Sequence, residues 1–427
     1  MINEALSEWN HWWRGGEVES ELIGKGRAIL EQLTDYIKLD EMKVVTGIRR
    51  CGKSTLFYQI INMLLKKGIN PKHILLVNFE DDVLSNKSLK EIFDSYQSTV
   101  NSDEKAFVFI DEVHKCNDWV SFLRKLYDLK KTKQIFITDS TSKFIKPEYA
   151  AAITGRNITI IAFPLSFPEF LEWKGRKPNT KLISREEANR TRKALLEYLK
   201  WGGFPRVALE SSETGKKILL NEYYNDIIYK DIIERYNIAY TKIKPLADFL
   251  LANSTNAFSP RKYSRTYGLS LESINSYIKY FEDVFLFFPI PKFDYSVRSQ
   301  QLSQKKIYAC DIGLLNNVGF VFSSNLGRIY ENAVFMQLRM KSKEIYYWKN
   351  KYECDFIVKK GLKVNEAIQV CYVLNVENKE REINGLLEAM EEFGLKNGLV
   401  ITEDYESEEK VKGKTIRYIP LWKWLLS

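Results

Sequence analysis

The amino-acid sequence predicts an α/β fold built around a parallel sheet with helices on both faces. Two observations support this prediction. Short apolar segments alternate with helical segments from residue 42 to residue 163, which is the rhythm of a covered parallel sheet. The stretch GIRRCGKST (residues 47–55) lies between the first of these strands and the helix after it. Later segments have other patterns, so we expect further domains after the sheet.

Length and composition narrow the class of protein. A chain of 427 residues exceeds one ordinary domain, and an apolar share of 45% excludes a disordered protein. No apolar stretch is long enough to span a membrane and the N-terminus lacks a signal-peptide core, so we expect a cytoplasmic protein without a membrane partner. Five scattered cysteines and three histidines predict neither disulfides nor a zinc site. The net charge of +9 suits a polyanionic partner, and equally a soluble basic protein.

Residues 42–55 predict a phosphate-binding loop. The apolar strand MKVVT is followed by a match to GxxxxGK[ST] and by the amphipathic helix TLFYQIINMLLKKG. In this order the loop N–H groups and the helix N-terminus point at one place, which suits the phosphates of ATP. Lys53 would reach the β and γ phosphates, and the Ser54 hydroxyl would hold Mg²⁺. The predicted nucleotide-binding residues are Gly47, Ile48, Arg49, Arg50, Cys51, Gly52, Lys53, Ser54 and Thr55.

The apolar segment KAFVFI predicts a second strand of the site, because it ends in the adjacent acids Asp111 and Glu112. Side chains alternate along a strand, so only one of the two acids can face the ion held by Ser54. We assign Asp111 to Mg²⁺ and Glu112 to activation of the attacking water. Acids at a strand end also cap helices, but beside a phosphate loop the catalytic interpretation is favoured.

Further strands are predicted at ILLVNFED, QIFIT and NITIIAF. Polar residues leave the QIFIT strand where a parallel sheet has its ligand crevice, so Thr138 or Ser140 is a candidate sensor of the γ-phosphate. Alternatively, these polar residues form the N-terminal cap of a helix. Arg156 is a candidate arginine finger, acting in cis or on a neighbouring subunit of a homo-oligomer; a solvated loop arginine is the alternative. Trp12, Trp13 and Arg27 could line an adenine pocket, although burial in the core explains the two tryptophans better.

Several motifs follow in a fixed order, namely VNFED, FIDEVHKCNDW, ITDSTSKF, AITGRNITIIAFPLSFPEFL, YLKWGGFPRVAL and YKDIIERY. Together with GIRRCGKSTL they resemble ATPases of the AAA+ superfamily that carry a C-terminal domain of unknown function, over nearly the whole chain. One departure is Asp139, where family members usually have glycine. A carboxylate there would repel phosphate, so we expect slow hydrolysis or a differently placed loop.

This resemblance implies a fold for every part of the chain. A P-loop NTPase core of AAA+ type carries a helical lid, and a winged helix and a small α/β domain similar to the PD-(D/E)XK nuclease fold follow. The predicted boundaries are residues 1–165 for the core, 166–236 for the lid and connector, 237–318 for the winged helix and 319–427 for the nuclease-like domain.

The middle of the chain favours a winged helix on its own pattern. Three short helices are predicted between residues 245 and 284, followed by the strands LFFPIPKF and KKIYACD. The third helix would present its tyrosines and Lys279 to a groove. Basic residues outnumber acidic ones by eight to four from Ala257 to Lys306, which suits phosphate contacts with DNA but no base-specific reading. Protein contacts are the alternative. The predicted DNA-binding residues are Arg261, Lys262, Arg265, Lys279, Arg298, Lys305 and Lys306.

The resemblance to the nuclease fold implies a metal site in the tail. In that fold carboxylates on adjacent strands hold Mg²⁺ and a lysine polarises the phosphate. Glu331 and Asp355 match the acids, whereas the third strand has Gln369 and Cys371 at the positions of an acid and the lysine. Neither replacement carries the required charge at neutral pH, and Glu366 faces the other side of the strand. We expect little or no cutting unless Lys359 or Lys360 reaches in.

Two functions fit these features. The first is a Mg²⁺-dependent ATPase that binds DNA and remodels or processes it in a nucleotide-dependent way. The second is a nucleotide-switched signalling or scaffold ATPase that acts on protein partners. An ATP-coupled nuclease is a third, weaker interpretation.

Overall fold

The structure, a computed structural model, describes residues 1–102, 104–116, 119–142, 155–177, 184–319, 326–341 and 343–427. The chain divides into two compact units, Met1–Ala162 and Phe163–Ser427. The motif residues 117, 118, 143, 144 and 152–154 lie outside the described stretches. Within those stretches no helix combines the length and the apolar character that crossing a bilayer requires.

The first unit contains the predicted parallel sheet. Its strands are β1 (Met42–Thr46), β2 (Ile74–Asn78), β3 (Phe107–Asp111), β4 (Gln134–Asp139) and β5 (Asn157–Ile161), in the order β2-β3-β4-β1-β5. All neighbouring pairs are parallel, so the carboxyl ends of all strands meet at one edge. This edge brings together the loop after β1 and the acids at the end of β3. The P-loop NTPase fold predicted for this unit is confirmed.

In the described stretches, helices and two short 3₁₀ turns surround this sheet. The helices are Ile2–Trp9, Trp12–Gly15, Ser20–Ile23, Ala28–Tyr36, Lys53–Lys66, Leu89–Thr99 and Trp119–Asp128, and the 3₁₀ turns are Pro71–His73 and Val113–Lys115. The indole N–H groups of Trp12 and Trp13 both donate to the carbonyl of Ile74, at 3.3 and 2.8 Å. These two tryptophans therefore pack against the sheet and do not line an adenine pocket.

The described part of the second unit contains two sheets. The three-stranded sheet consists of β6 (Ala257–Phe258), β7 (Phe287–Pro291) and β8 (Lys305–Ala309) in the order β6-β8-β7, all antiparallel. The six-stranded sheet runs β13-β14-β12-β11-β10-β9. Its strands are β9 (Glu344–Lys349), β10 (Glu353–Lys360), β11 (Lys363–Val370), β12 (Asn397–Thr402), β13 (Ser407–Val411) and β14 (Lys414–Pro420).

Helices make up much of the rest of the described part of the second unit. Three of them, Tyr240–Ala252, Pro260–Tyr267 and Leu271–Asp283, precede the β7–β8 ribbon, as the middle of the sequence predicts. A π-helix, Ile227–Ile233, continues the helix before it. The remaining helices are Phe167–Trp173, Arg185–Trp201, Pro205–Leu209, Glu213–Asp226, Glu234–Tyr236, Val297–Leu302, Ile312–Asn317, Leu326–Met340, Val376–Glu392 and Leu421–Leu425.

The WGGFP motif has a structural role in this unit. The N–H of Gly203 donates to Oδ2 of Asp311 at 2.7 Å, and the N–H of Gly313 donates to Oδ1 at 2.8 Å. At Gly202, where φ is +77°, a Cβ atom would lie 2.0 Å from the same Oδ1, so only glycine fits. Burial raises the pKa of Asp311 to about 6, despite these backbone donors.

Candidate functional site

The loop after β1 is shaped by two glycines. Gly47 has a φ of +152°, and a Cβ atom there would lie 2.0 Å from the carbonyl oxygen of Ala162. Gly52 has a φ of +96° at the N-cap of the helix Lys53–Lys66 and offers no side chain to the first-turn N–H groups. These N–H groups are therefore available to an anion, which is the property that the sequence predicts for this loop.

Lys53 is buried at the centre of the loop, with 4% of its surface exposed. Its Nζ donates to the carbonyls of Gly47 and Ile48, at 3.1 and 3.3 Å. The same atom lies 3.4 Å from Oε1 of Glu112. The structure therefore brings together the predicted phosphate-binding lysine and the predicted general base.

Asp111 and Ser54 also meet. The Ser54 hydroxyl hydrogen-bonds the Asp111 carboxylate, and the Thr138 hydroxyl donates to Oδ1 of Asp111. Burial, with Glu112 beside it, raises the pKa of Asp111 to about 6. Two oxygen-bearing side chains thus lie where the sequence predicts a Mg²⁺ site.

Glu112 has a different environment from its neighbour. Its backbone is left-handed, with φ at +51°, and its N–H donates to the Thr138 hydroxyl at 2.9 Å. The N–H of Ser140 donates to Oε2 of Glu112 at 3.2 Å. Burial would raise the pKa of Glu112, but the positive charge of Lys53 and a contact with His114 hold it well below the usual range. Both candidate sensors, Thr138 and Ser140, therefore contact the acid pair.

Asp139 turns towards its own loop. Its Oδ1 accepts hydrogen bonds from the N–H and the hydroxyl of Thr141, at 2.8 and 2.9 Å. Nδ1 of His114 lies 3.4 Å from the same oxygen and 3.3 Å from Oε2 of Glu112. His114 is a functional candidate that the residue pattern did not single out, although it belongs to the FIDEVHKCNDW motif.

Two arginines connect the loop after β1 to other parts of the chain. Arg49 pairs with Glu80, with 2.8 Å between Nη1 and Oε1, and so connects the loop to the VNFED segment. Arg27 donates to the carbonyl of Cys51 at 2.9 Å. The role of Glu80 was not predicted, because nothing local in the sequence indicates which acid reaches the loop.

Arg156 does not reach this site. Its carbonyl accepts from the N–H of Met42 at 2.7 Å, so it lies where β1 begins, at the edge opposite the loop. Its side chain pairs with Asp128, with 2.7 Å between Nε and Oδ1. The prediction of an arginine finger in cis is therefore wrong, because Arg156 precedes its strand and the ligand edge comes after it. Action on a neighbouring subunit stays a prediction.

Most of the predicted DNA-binding residues lie on the surface. Tyr277 of the third helix is buried instead, and Tyr280 stacks on Tyr236 with 3.8 Å between ring centroids, so these tyrosines are not presented to a groove as predicted. Six basic residues are exposed and pair with no carboxylate in the part of the chain that the structure describes. They are Arg261, Lys262, Arg265, Lys279, Arg298 and Lys305.

Lys306 is the exception, and its prediction as a DNA-binding residue is wrong. Its Nζ lies 3.0 Å from Oε1 of Glu331, 2.8 Å from Oε1 of Glu353 and 3.1 Å from Oδ1 of Asp355. Burial disfavours the charged ammonium, but the surrounding acids raise the pKa of Lys306 well above its usual value. Its side chain points inward because neighbouring residues of a strand face opposite sides, and Lys305 takes the exposed side.

Two of the predicted nuclease-like residues, Glu331 and Asp355, contact this lysine. Oε1 of Gln369 accepts from the N–H of Asp355 at 3.2 Å, and both residues line a cavity of about 740 Å³ together with Glu331. Lys359 pairs with Glu344 instead of reaching in. The cation that does reach the acids is Lys306 of β8, and the sequence did not predict this contact.

The first unit has the parallel five-stranded sheet of a P-loop NTPase fold. Residues 39–171 match a family described as AAA domain. Residues 192–325 and 326–424 match two families described as domains of unknown function, DUF8612 and DUF4143.

The uncharacterized protein MJ1544 of Methanocaldococcus jannaschii is 35% identical over 424 residues, which are 95% of this chain and 93% of that protein. An uncharacterized protein of Haemophilus influenzae is 28% identical over 404 residues, covering 92% and 96%. The chain belongs to the family of the M. jannaschii protein, and in this chain a AAA domain is followed by the two domains of unknown function.

Solved structures give weaker likenesses. The Walker-type ATPase PABY2304 of Pyrococcus abyssi has a TM-score of 0.43 at 13% identity, covering 71% of this chain and 97% of that one. The Orc1 protein of Aeropyrum pernix in complex with DNA has a TM-score of 0.33 at 12% identity, covering 73% and 93%.

Proposed function

We propose that this protein is a Mg²⁺-dependent ATPase whose second unit binds DNA in a nucleotide-dependent way. The observation that supports the ATPase most strongly is the buried pair of Lys53 and Glu112 beside the hydrogen-bonded pair of Ser54 and Asp111. These two pairs supply a phosphate ligand, a base and two metal ligands at the carboxyl edge of a parallel sheet.

Each side chain then has a defined task. Lys53 would exchange its contacts with Gly47 and Glu112 for phosphate oxygens. Glu112, ionised because its pKa is low, would accept the proton of the attacking water while the N–H of Ser140 holds its other oxygen. Ser54 and Asp111 fit Mg²⁺, because both offer the oxygen atoms that this ion prefers, and the ion would supply positive charge to the phosphates. Thr138, bound to both acids, supports a sensor role.

Substitution of Lys53 tests the ATPase. Lys53→Ala is expected to lower the steady-state rate of ATP hydrolysis by at least about 100-fold, because the phosphates lose a preorganised positive charge. Lys66→Ala is the matched control, since this exposed lysine ends the same helix. An unchanged rate in Lys53→Ala would contradict the proposed ATPase site.

Six exposed basic residues that pair with no carboxylate among the described residues support DNA binding. Unpaired cations can neutralise phosphates without first breaking an ion pair, and binding of this kind weakens as salt is added. The test is ATP turnover with single-stranded, duplex and branched DNA at two salt concentrations. Stimulation by one of these forms, reduced at the higher salt, is the expected result.

A second candidate is a nucleotide-switched scaffold that acts on protein partners. The observation that favours it is Asp139, a carboxylate at the end of β4 beside the acid pair, because added negative charge near the γ-phosphate would slow hydrolysis. Slow turnover that no form of DNA changes would favour this candidate over the first.

We also propose a nuclease-like fold for the tail. The helix Leu326–Met340 carries Glu331, while the adjacent antiparallel strands β10 and β11 carry Asp355 and Gln369, and this placement supports the proposal. Cutting of DNA is not part of the proposal, because Gln369 and Cys371 lack the charges that the reaction needs.

A further inference from the structure

The acids of the C-terminal half hold a lysine from another sheet. Lys306 belongs to β8 of the three-stranded sheet, yet its Nζ lies within 3.1 Å of three carboxylates and 4% of its surface is exposed. Tyr308, two residues further along and on the same face, donates its hydroxyl to Oε1 of Glu331 at 2.7 Å. Strand β8 therefore places two side chains in this carboxylate cluster, which we define as Glu331, Glu353 and Asp355.

The geometry leaves the ammonium no free donor. A lysine ammonium has three N–H groups, and the three carboxylates lie 3.0, 2.8 and 3.1 Å from Nζ. A lysine that polarises a phosphate needs a donor directed at the substrate. Mg²⁺ bound by the same oxygens would stand about 2.1 Å from each of them, in the space that the ammonium fills. A metal ion and this ammonium therefore exclude each other.

The neighbouring side chains do not supply the lost charge. Nε2 of Gln369 donates to Oε2 of Glu382 at 2.5 Å, and its oxygen accepts from the backbone of Asp355. The thiol of Cys371 donates to the carbonyl of Val373 at 3.2 Å. With the Lys306 ammonium between its three carboxylates, the site has no room for the divalent ion that the nuclease-like fold implies.

We propose that Lys306 is the resident cation of the carboxylate cluster and takes the place of a divalent metal ion. The cluster then joins β8 to β10 and to the helix Leu326–Met340, and it does not hydrolyse phosphodiesters. This inference goes beyond the proposed function and is independent of whether the chain binds DNA or hydrolyses ATP.

A manganese titration of the full chain tests the proposal. The background is Asp111→Asn, which removes one predicted metal ligand from the nucleotide site, and free Mn²⁺ is followed by electron paramagnetic resonance. In this background Lys306→Met is expected to create one bound Mn²⁺ per chain, and adding Asp355→Asn is expected to abolish it. Lys305→Met removes the same charge from the neighbouring exposed position and should create no site.

A second comparison leaves Lys306 untouched, in case Lys306→Met does not fold. The Asp111→Asn background and the same background with Asp355→Asn should give identical Mn²⁺ titrations, because the ammonium already occupies the cluster. If the background binds one Mn²⁺ that Asp355→Asn removes, the cluster is a metal site and the proposal is overturned. A folded Lys306→Met variant that binds no Mn²⁺ would overturn it as well.

Discussion

Nζ of Lys53 lies 3.4 Å from Oε1 of Glu112, so the lysine assigned to phosphate and the acid assigned to water contact each other inside the nucleotide site. ATP phosphates would compete with Glu112 for the ammonium. Phosphate binding and release of Glu112 from Lys53 would then occur together. Because Lys53 binds phosphate and Glu112 accepts a proton, substitution of one residue can separate the two roles.

Glu112→Gln is expected to separate binding from hydrolysis. The amide can still accept the N–H of Ser140 but cannot take a proton from water, so turnover should fall by about 100-fold or more while ATP binding persists. Turnover and titration with a fluorescent ATP analogue measure the two properties. Glu31→Gln, on an exposed helix position, is the control. Unchanged turnover in Glu112→Gln would assign the base elsewhere.

Asp139→Asn is expected to raise turnover a few fold. The amide oxygen can keep the hydrogen bonds from Thr141, while the negative charge beside the acid pair is lost. The rate is measured at saturating ATP and Mg²⁺, with Asp35→Asn as an exposed control. An equal or lower rate would show that the carboxylate of Asp139 does not hold hydrolysis back.

Removal of two exposed arginines is expected to weaken DNA binding. Arg261→Ala combined with Arg265→Ala removes two cations from the helix Pro260–Tyr267, so the slope of log affinity against log salt should decrease by about 2. Fluorescence anisotropy of labelled duplex DNA at several salt concentrations measures this slope. Lys396→Ala with Lys410→Ala removes the same charge from the six-stranded sheet region and should leave the slope unchanged.

The stability of the second unit is expected to depend on pH through Asp311. Burial raises its pKa from the ordinary 3.8 to about 6, so between these values the folded chain holds more protons than the unfolded chain. Stability is therefore lost as pH rises from about 4 to about 6, on the order of 3 kcal/mol.

Asp311→Asn removes this titration and provides the measurement. The melting temperature of the variant minus that of the natural chain should rise between pH 4 and pH 6 and then stay constant. The amide changes the hydrogen bonds of Gly203 and Gly313 at every pH, so only the slope of the difference is informative. A difference that does not change with pH would contradict the proposed cost of ionising Asp311.

The first unit was predictable because its signals are local. Strand β1 spans Met42–Thr46, the same residues that the apolar segment MKVVT predicts. The glycines and Lys53 of the loop act through backbone geometry close to them in the chain. The acids Asp111 and Glu112 follow from the rule that parallel strands end at a common edge.

Contacts between distant segments were not predictable in this way. Thr138 bridges Asp111 and Glu112 only because β4 lies beside β3, and Glu80 reaches Arg49 across the sheet edge. Arg156 carried the right charge, but it precedes its strand and so lies at the wrong edge. Strand order and direction decide all of these cases.

The sequence by itself determined the P-loop fold, the loop and its acids, because hydrophobic period and glycine spacing act over a few residues. Only the tertiary structure decided which of Lys305 and Lys306 is exposed and which is buried. The two are identical in type and adjacent, yet Lys305 is exposed and Lys306 is buried among Glu331, Glu353 and Asp355. A strand turns successive side chains to opposite faces, and only the packing of β8 against the tail determines which face meets the acids.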